Sequence, residues 1–129
     1  MSDPVAEVSA SLEAYLPVLR DALARAAVDL SLGEDQGLAV LAAALDGLEW
    51  VAHIMNRPAV FVRSRGGAEE WQGLAQRYLE GLRLLLRAWE HGDHVALGEV
   101  LRHEVVPVLD DFGALFAAEV GRPWAEARL

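Results

Sequence analysis

The sequence predicts an all-α fold, an antiparallel four-helix bundle formed by residues 1–129 as a single domain. Three observations predict it. The 22 alanines and 21 leucines favour helix, whereas isoleucine occurs once and threonine never. Apolar residues recur at intervals of three and four along four segments, as in helices with one buried side. The turns between the segments are short, which favours antiparallel neighbours.

Capping and breaking residues set the predicted ends of the first two helices. The first begins at Asp3, a good N-cap followed by proline, and ends at residues 31–33. Pro17 inside it predicts a kink or a restart, because proline removes a helical hydrogen bond. The second helix opens on two acidic residues at 34–35 and ends at residues 56–58.

A connector over residues 57–67 precedes the second pair of helices. The third helix is predicted from residue 68 to residue 90. The fourth begins after the N-cap Asp93 and ends at residues 121–123, with a bend at Pro107. Similar Tyr-Leu-x-x-Leu-Arg strings in helices one and three indicate that the bundle consists of two helical hairpins. Glycines inside the helices indicate close helix packing; they are Gly37, Gly47, Gly73, Gly81, Gly98 and Gly113.

Helix two is apolar on nearly all sides. Its predicted inward line comprises Leu38, Leu41, Leu45, Leu48, Ala52 and Met55. A second apolar line lies nearly opposite at 100° per residue, and Ala44 and Val51 fill a third direction. The remaining polar strip comprises Asp46, Glu49, His53 and Asn56. A helix of this kind is buried from more than one direction.

The second apolar line predicts a homodimer interface with Trp50 as its anchor. The predicted interface residues are Val40, Ala43, Gly47, Trp50, Ile54, Val60, Phe61 and Val62. Two alternatives stay open. Residues 60–62 of the same chain fold back over this line, or Trp50 lies half-exposed on a helix that alanine and glycine make look more apolar than it is.

Composition excludes several function classes. The net charge of −9 disfavours a nucleic-acid partner, and the absence of cysteine excludes disulfides and thiolate metal sites. The absence of lysine excludes a P-loop and Schiff-base chemistry. Residues 1–4 lack the start of a secretory signal, and no uninterrupted apolar run reaches 18 residues. We therefore expect a cytoplasmic protein without a membrane partner.

Two glutamate–histidine pairs suggest metal chemistry as an alternative. Glu49 and His53 are four residues apart on helix two, and Glu99 and His103 are four apart on helix four. The di-iron bundle motif instead needs Glu-x-x-His and further glutamates facing the interior. Glu99 and His103 are expected to point to water, so we predict no metal site and no cofactor.

Glu104 and Asp111 form the second candidate for chemistry. They are seven residues apart along the edge of the apolar face of helix four, where a carboxylate needs an arginine such as Arg20 or Arg83. We interpret them as a buried polar pair that fixes helix register; the alternative is a ligand-binding or acid–base pair. No serine has the Gly-x-Ser-x-Gly context of a nucleophile, so catalysis is not expected.

Two stretches of the chain resemble a known family. They are Gly47-Leu48-Glu49-Trp50 and Gly92-Asp93-x-Val95-x-Leu97-Gly98-Glu99-Val100-Leu101-x-x-Glu104-Val105-Val106-Pro107-Val108-Leu109. Both are similar to lines in a family of small uncharacterised all-helical bacterial proteins. The resemblance implies a bacterial origin and a helical bundle, and it implies no catalytic residues.

Together these features favour a non-catalytic protein-interaction module that is a homodimer through helix two. A variant of this hypothesis is a small chaperone that takes an amphipathic helix of a partner into the same groove. The runner-up from another class is a helical-bundle enzyme that uses either of the candidate sets of acidic residues and histidines.

Overall fold

Helices account for nearly all of residues 4–62 and 64–121, the residues that the computed structural model describes. No β-strand occurs within them, so the predicted all-α class is confirmed. The helices are α1 (Pro4–Ser31), α2 (Asp35–Met55), α3 (Pro58–Phe61), α4 (Arg65–Glu90), α5 (His94–Val100) and α6 (Val106–Phe116). A π-helical turn follows α5 at Leu101–Val105, and a second follows α6 at Ala117–Gly121.

The turns after α1 and α4 have the same backbone geometry. Gly33 has a φ of 76° and Gly92 a φ of 65°, a left-handed conformation that favours glycine. In both turns the residue after the glycine donates its N–H to a carbonyl five residues back, at 2.9 Å for Glu34 and 3.1 Å for Asp93. These bonds satisfy carbonyls that the helix end leaves unpaired, so the sequence stops both helices at the predicted glycines.

Close approaches of α1 to its neighbours occur at glycines. A Cβ added at Gly37 of α2 would lie 2.8 Å from the Ala26 carbonyl oxygen. One added at Gly98 of α5 would lie 2.8 Å from the Ala27 carbonyl oxygen. The expected reason for glycine is therefore confirmed at these positions, but Gly73 has nothing within 4 Å and needs another explanation.

The core is centred on Trp71 of α4, which is fully buried. Its ring lies edge-on to Phe112 with ring centroids 4.9 Å apart, and it stacks on Phe61 at 5.8 Å. Its indole N–H donates to the carbonyl oxygen of Met55 at 2.8 Å. One side chain thus joins α2, α3, α4 and α6 in a buried cluster.

The region between α2 and α4 differs from the predicted connector. Residues 58–61 form one helical turn, and α4 begins at Arg65, three residues earlier than expected. The earlier start follows from Ser64, which caps α4 by accepting a hydrogen bond from the Gly67 N–H at 3.0 Å. Phe61 and Val62 point inward and are buried within their own chain.

Proline has different effects in α1 and in the last helical segment. α1 continues through Pro17, so the helix does not restart there. The disruption predicted at Pro107 takes the form of the π-helical turn at Leu101–Val105, in which the Val106 N–H donates to the Leu101 carbonyl. Proline cannot donate to the His103 carbonyl, and the wider turn accommodates that loss. The predicted cap Asp3 and the stop at residues 122–123 lie outside the described residues.

α2 buries a different side from the predicted one. Leu41, Leu48 and Met55 are buried as expected, but Leu45 is 42% exposed. Val51 and Ile54 are buried instead, so the inward side lies between the two apolar lines. Within the described part of the chain, α2 is long and apolar enough to cross a membrane by length and composition, with a mean hydropathy of 1.5. The core helix of a soluble protein passes the same test, so the expected lack of a membrane partner stays a prediction.

Candidate functional site

An apolar groove lies on the outer side of α1 and α2. Its volume is about 600 Å³. We call it the Trp50 surface and define it by Ser11, Ala14, Tyr15, Val18, Asp46, Gly47 and Trp50. Asp46 is its one charged residue, so apolar contact is the main interaction that this groove offers.

Tyr15 and Trp50 form the floor of the Trp50 surface. Their rings meet edge-on, with centroids 5.7 Å apart and an interplanar angle of 83°. The Tyr15 hydroxyl lies directly over Gly47, where any Cβ would overlap it. Glycine at 47 therefore lets α1 and α2 approach closely enough for the two rings to support one another.

The predicted interface residues divide into an accessible and a buried group. Val40, Gly47 and Trp50 are half-buried, whereas Ala43 and Val60 are exposed. Ile54, Phe61 and Val62 belong to the core of their own chain and are not accessible to a partner. Phe61 packs against Trp71 and Phe116, so its burial does not show that residues 60–62 cover the second apolar line of α2.

The sequence did not indicate the contribution of α1 to this surface. Tyr15 lies three residues after Leu12 and four before Leu19, a spacing that predicts burial, but it is half-buried beside Trp50. Val18 is 63% exposed, stands next to Pro17 and falls outside this spacing. In the sequence, Val18 could have been noticed only as a lone apolar residue on the polar side of the helix.

The chain was compared with protein families, with curated proteins and with solved structures. The profile of one family, described as a domain of unknown function (DUF8042), matches residues 7–114. The chain belongs to the DUF8042 family. The match covers most of the chain, as expected from the resemblance to an uncharacterised family. Neither a curated protein nor a solved structure matches it.

The polar strip of α2 divides between two grooves in the DUF8042 domain. Asp46 borders the Trp50 surface, whereas Glu49, His53 and Asn56 line a cleft of about 410 Å³ between α2 and α4. His53 Nε2 lies 3.7 Å from Glu49 Oε1, an ion pair that needs a protonated imidazole. Both side chains are largely exposed, so water solvates them.

The two glutamate–histidine pairs do not combine into a metal site. His103 Nε2 lies 2.9 Å from Glu99 Oε2, and this pair is also exposed. Among the residues that the structure describes, no three His, Asp, Glu or Cys side chains come close enough to hold a metal ion. Each pair supplies two ligands, whereas protein zinc sites use three or four.

Glu104 and Asp111 are not a buried pair, which corrects the prediction. Both are exposed, and Asp111 accepts from Arg77 Nη1 at 3.0 Å. The π-helical turn explains the position of Glu104, because it spreads one turn over an extra residue. Val105 therefore reaches the buried side one turn after Leu101, and Glu104 remains outside.

Arg20 has a different carboxylate partner from the predicted ones. Its Nε donates to Asp110 Oδ1 at 2.9 Å, and its Nη1 donates to Asp21 Oδ1 at 3.2 Å. The hydrogen bonds to Asp110 and Asp21 raise the pKa of the Arg20 guanidinium. This exposed pair links α1 to α6 with little net stabilisation, because water screens it.

Tyr78 is the buried titratable group of the domain whose pKa changes most clearly. Burial raises the pKa of its hydroxyl well above the usual range, and the nearby Tyr15 adds to the shift. The hydroxyl donates to the Leu48 carbonyl oxygen at 2.6 Å. Tyr78 therefore stays protonated and joins α4 to α2, a structural task rather than proton transfer.

Proposed function

We propose that this DUF8042 domain is a non-catalytic protein-interaction module that forms a homodimer through the Trp50 surface. The observation that carries the proposal is the exposed apolar groove with a half-buried tryptophan on its floor. Exposed apolar patches that line a groove mark interaction sites more often than they mark inert surface. Tryptophan and tyrosine are also the residues that most often anchor interfaces.

The geometry of the Trp50 surface suits a two-fold contact. In such a contact the same patch of each chain faces itself, so one apolar groove is enough to build the interface. The contact of Tyr15 with Gly47 and Trp50 fixes both rings before association. A preformed surface loses less conformational entropy on binding than a mobile one.

The scaffold we propose is an antiparallel four-helix bundle made of two hairpins, in the bacterial cytoplasm. Two side-chain contacts between α2 and α4 support opposite directions for these helices. Tyr78 bonds to Leu48, and Trp71, which precedes Tyr78, bonds to Met55, which follows Leu48. The matching glycine turns after α1 and α4 support the division into two hairpins.

The test is the solution mass of the wild type beside Trp50→Glu, by size-exclusion chromatography with light scattering. A buried carboxylate without a partner strongly disfavours an apolar interface. We expect a dimeric wild type and a monomeric variant with the helical circular dichroism of the wild type. Leu86→Glu is the matched control, because Leu86 is an exposed leucine of α4 outside the Trp50 surface.

The oligomeric states of the wild type and of the two variants test whether the Trp50 surface is the dimer interface. A wild type that stays monomeric at high protein concentration overturns the homodimer. A dimer that persists in Trp50→Glu but dissociates in Leu86→Glu places the interface elsewhere and also overturns the proposal.

The second candidate is a small chaperone that binds an amphipathic helix of another protein in the same groove. The open shape of the groove between two helices favours it, since helix-in-groove recognition uses such surfaces. A monomeric wild type whose Trp50 fluorescence changes with an amphipathic peptide would favour this candidate over the homodimer.

A further inference from the structure

A cleft of about 450 Å³ lies between α1 and the helix that contains the π-helical turn. Its walls are apolar, formed by Ala24 and Val28 of α1 and by Leu32 in the turn after α1, with Val106 across from them. Its charged residues are Arg20 and Arg102. The cleft shares no lining residue with the Trp50 surface, so the two are separate.

The charge of this cleft is the reverse of the charge of the protein. The net charge is −9, yet none of the described residues that line the cleft is acidic. Asp110 and Asp21 already pair with Arg20. Arg102, in contrast, is exposed and makes no ion pair with the described residues.

The apolar side chains of the cleft are largely exposed. Val28 is 59% exposed and Leu32 is 70% exposed. Arg102 lies within the π-helical turn Leu101–Val105, and such turns inside α-helices frequently occur at functional sites. An exposed guanidinium at the edge of an exposed apolar cleft matches a ligand with one anionic group and an apolar body.

We propose that this cleft binds an anionic amphiphile, a single alkyl chain with a carboxylate or phosphate head group. Arg102 donates hydrogen bonds to the head group, and the alkyl chain covers Val28 and Leu32. Arg20, which pairs with Asp110, lines the cleft beside the head group. The proposal does not depend on the homodimer, because the cleft shares no lining residue with the Trp50 surface.

The net charge of the protein makes an anionic probe diagnostic. Long-range repulsion disfavours the non-specific binding of anions to this surface, whereas cationic detergents bind it anywhere. We would titrate decanoate and decyl phosphate, below their micelle concentrations, into the wild type by calorimetry. Decanol has the chain without the charge, and acetate has the charge without the chain.

We expect decanoate or decyl phosphate to bind at least about tenfold more tightly than decanol, and acetate not to bind. The tighter of the two anions identifies the head group. Arg102→Gln should weaken the binding of that anion about tenfold or more and leave decanol binding unchanged. Val28→Gln should weaken both, since it removes part of the apolar wall.

Arg87→Gln is the matched control, because Arg87 is also exposed and makes no ion pair in the described residues, but lies outside the cleft. Equal loss in Arg87→Gln and Arg102→Gln means general charge attraction and overturns the proposal. Absence of binding of both anions, or equal binding of anion and alcohol, overturns it as well. Circular dichroism of each variant shows that the fold is intact.

Discussion

Two aromatic clusters in the molecule have similar chemistry and opposite surroundings. Trp71 is fully buried, contacts Phe61, Phe112 and Phe116, and satisfies its indole N–H at the Met55 carbonyl. Trp50 is half-buried, and among the described residues its aromatic contact is with Tyr15. The first cluster joins four helices, whereas the second rests on the outside of two.

Trp71 therefore contributes mainly to the stability of the fold, whereas Trp50 keeps surface that a partner could reach. A fully buried ring has used its contact area and its hydrogen-bond donor within the chain. A half-buried ring on a glycine-supported base keeps apolar area that another molecule could contact. The comparison therefore predicts a large cost to stability at Trp71 and a small one at Trp50.

The largest effect is expected for Trp71→Ala, which tests this comparison directly. Loss of a buried tryptophan leaves a cavity and an unpaired carbonyl, and we expect a cost of about 3–5 kcal/mol in the free energy of unfolding. That is a large share of the stability of a small domain. Urea denaturation followed by far-ultraviolet circular dichroism measures it.

Trp50→Ala is the control for Trp71→Ala and should cost about 1–2 kcal/mol, from partial burial and one edge-on ring contact. Both variants are compared at low protein concentration, because dimerisation would add to the apparent stability of the wild type. Equal losses in the free energy of unfolding for Trp71→Ala and Trp50→Ala would show that the outer cluster also belongs to the core, which contradicts the distinction drawn between them.

Gly47→Ala should have an intermediate effect. The new methyl group overlaps the Tyr15 hydroxyl, so the tyrosine must move away from Trp50. We expect a cost of about 1–3 kcal/mol, as for overpacking in a core, together with a weaker dimer. The same denaturation experiment measures the first effect, and light scattering the second.

Gly73→Ala provides the matched control for Gly47→Ala. Gly73 also lies inside a helix, but nothing lies within 4 Å of an added Cβ. Alanine there should stabilise the protein by roughly 0.5–1 kcal/mol through helix propensity. A Gly47→Ala variant that gains stability like Gly73→Ala would contradict the close approach of α1 and α2.

The sequence predicted the parts of the fold that depend on local rules. Helix class followed from composition, and the ends at Gly33 and Gly92 followed from glycine in a left-handed turn. Leu41 and Leu48 were also placed inside correctly. Each of these predictions needs only the residue and its neighbours along the chain.

The predictions that failed depend on neighbours in space. Helix two is apolar nearly all round, so periodicity alone did not choose between Leu45 and Ile54. Gly37 helps to determine which side of α2 faces inward, because the lack of a side chain there lets α1 pack closely against α2. Pro107 signalled a disruption in the last helical segment, but not the π-helical turn that moved Glu104 outward. Phe61 stood in a short apolar run without period, so no pattern could place it.

The smallest change in stability at neutral pH is expected for Tyr78→Phe, which contrasts the buried Tyr78 with the half-buried Tyr15. Tyr78→Phe removes the hydrogen bond to the Leu48 carbonyl and should cost about 1 kcal/mol. Its larger signature appears at high pH. Because burial raises the pKa of Tyr78 in the folded state, its contribution is complete below the unfolded pKa of about 10. Above that pH the unfolded chain loses the proton first, so stability falls.

We therefore expect the wild type to lose stability between about pH 10 and pH 12 by up to about 1.4 kcal/mol per unit from this group, and Tyr78→Phe to lose less. Urea denaturation across this range measures the slope. Tyr15→Phe is the control and should keep the slope that Tyr78 contributes, because Tyr78 stays buried in it. If the free energy of unfolding falls with pH equally steeply in Tyr78→Phe and in the wild type, the Tyr78 hydroxyl reaches water in the folded state. The contrast between a buried core and an accessible outer cluster then does not apply to this tyrosine.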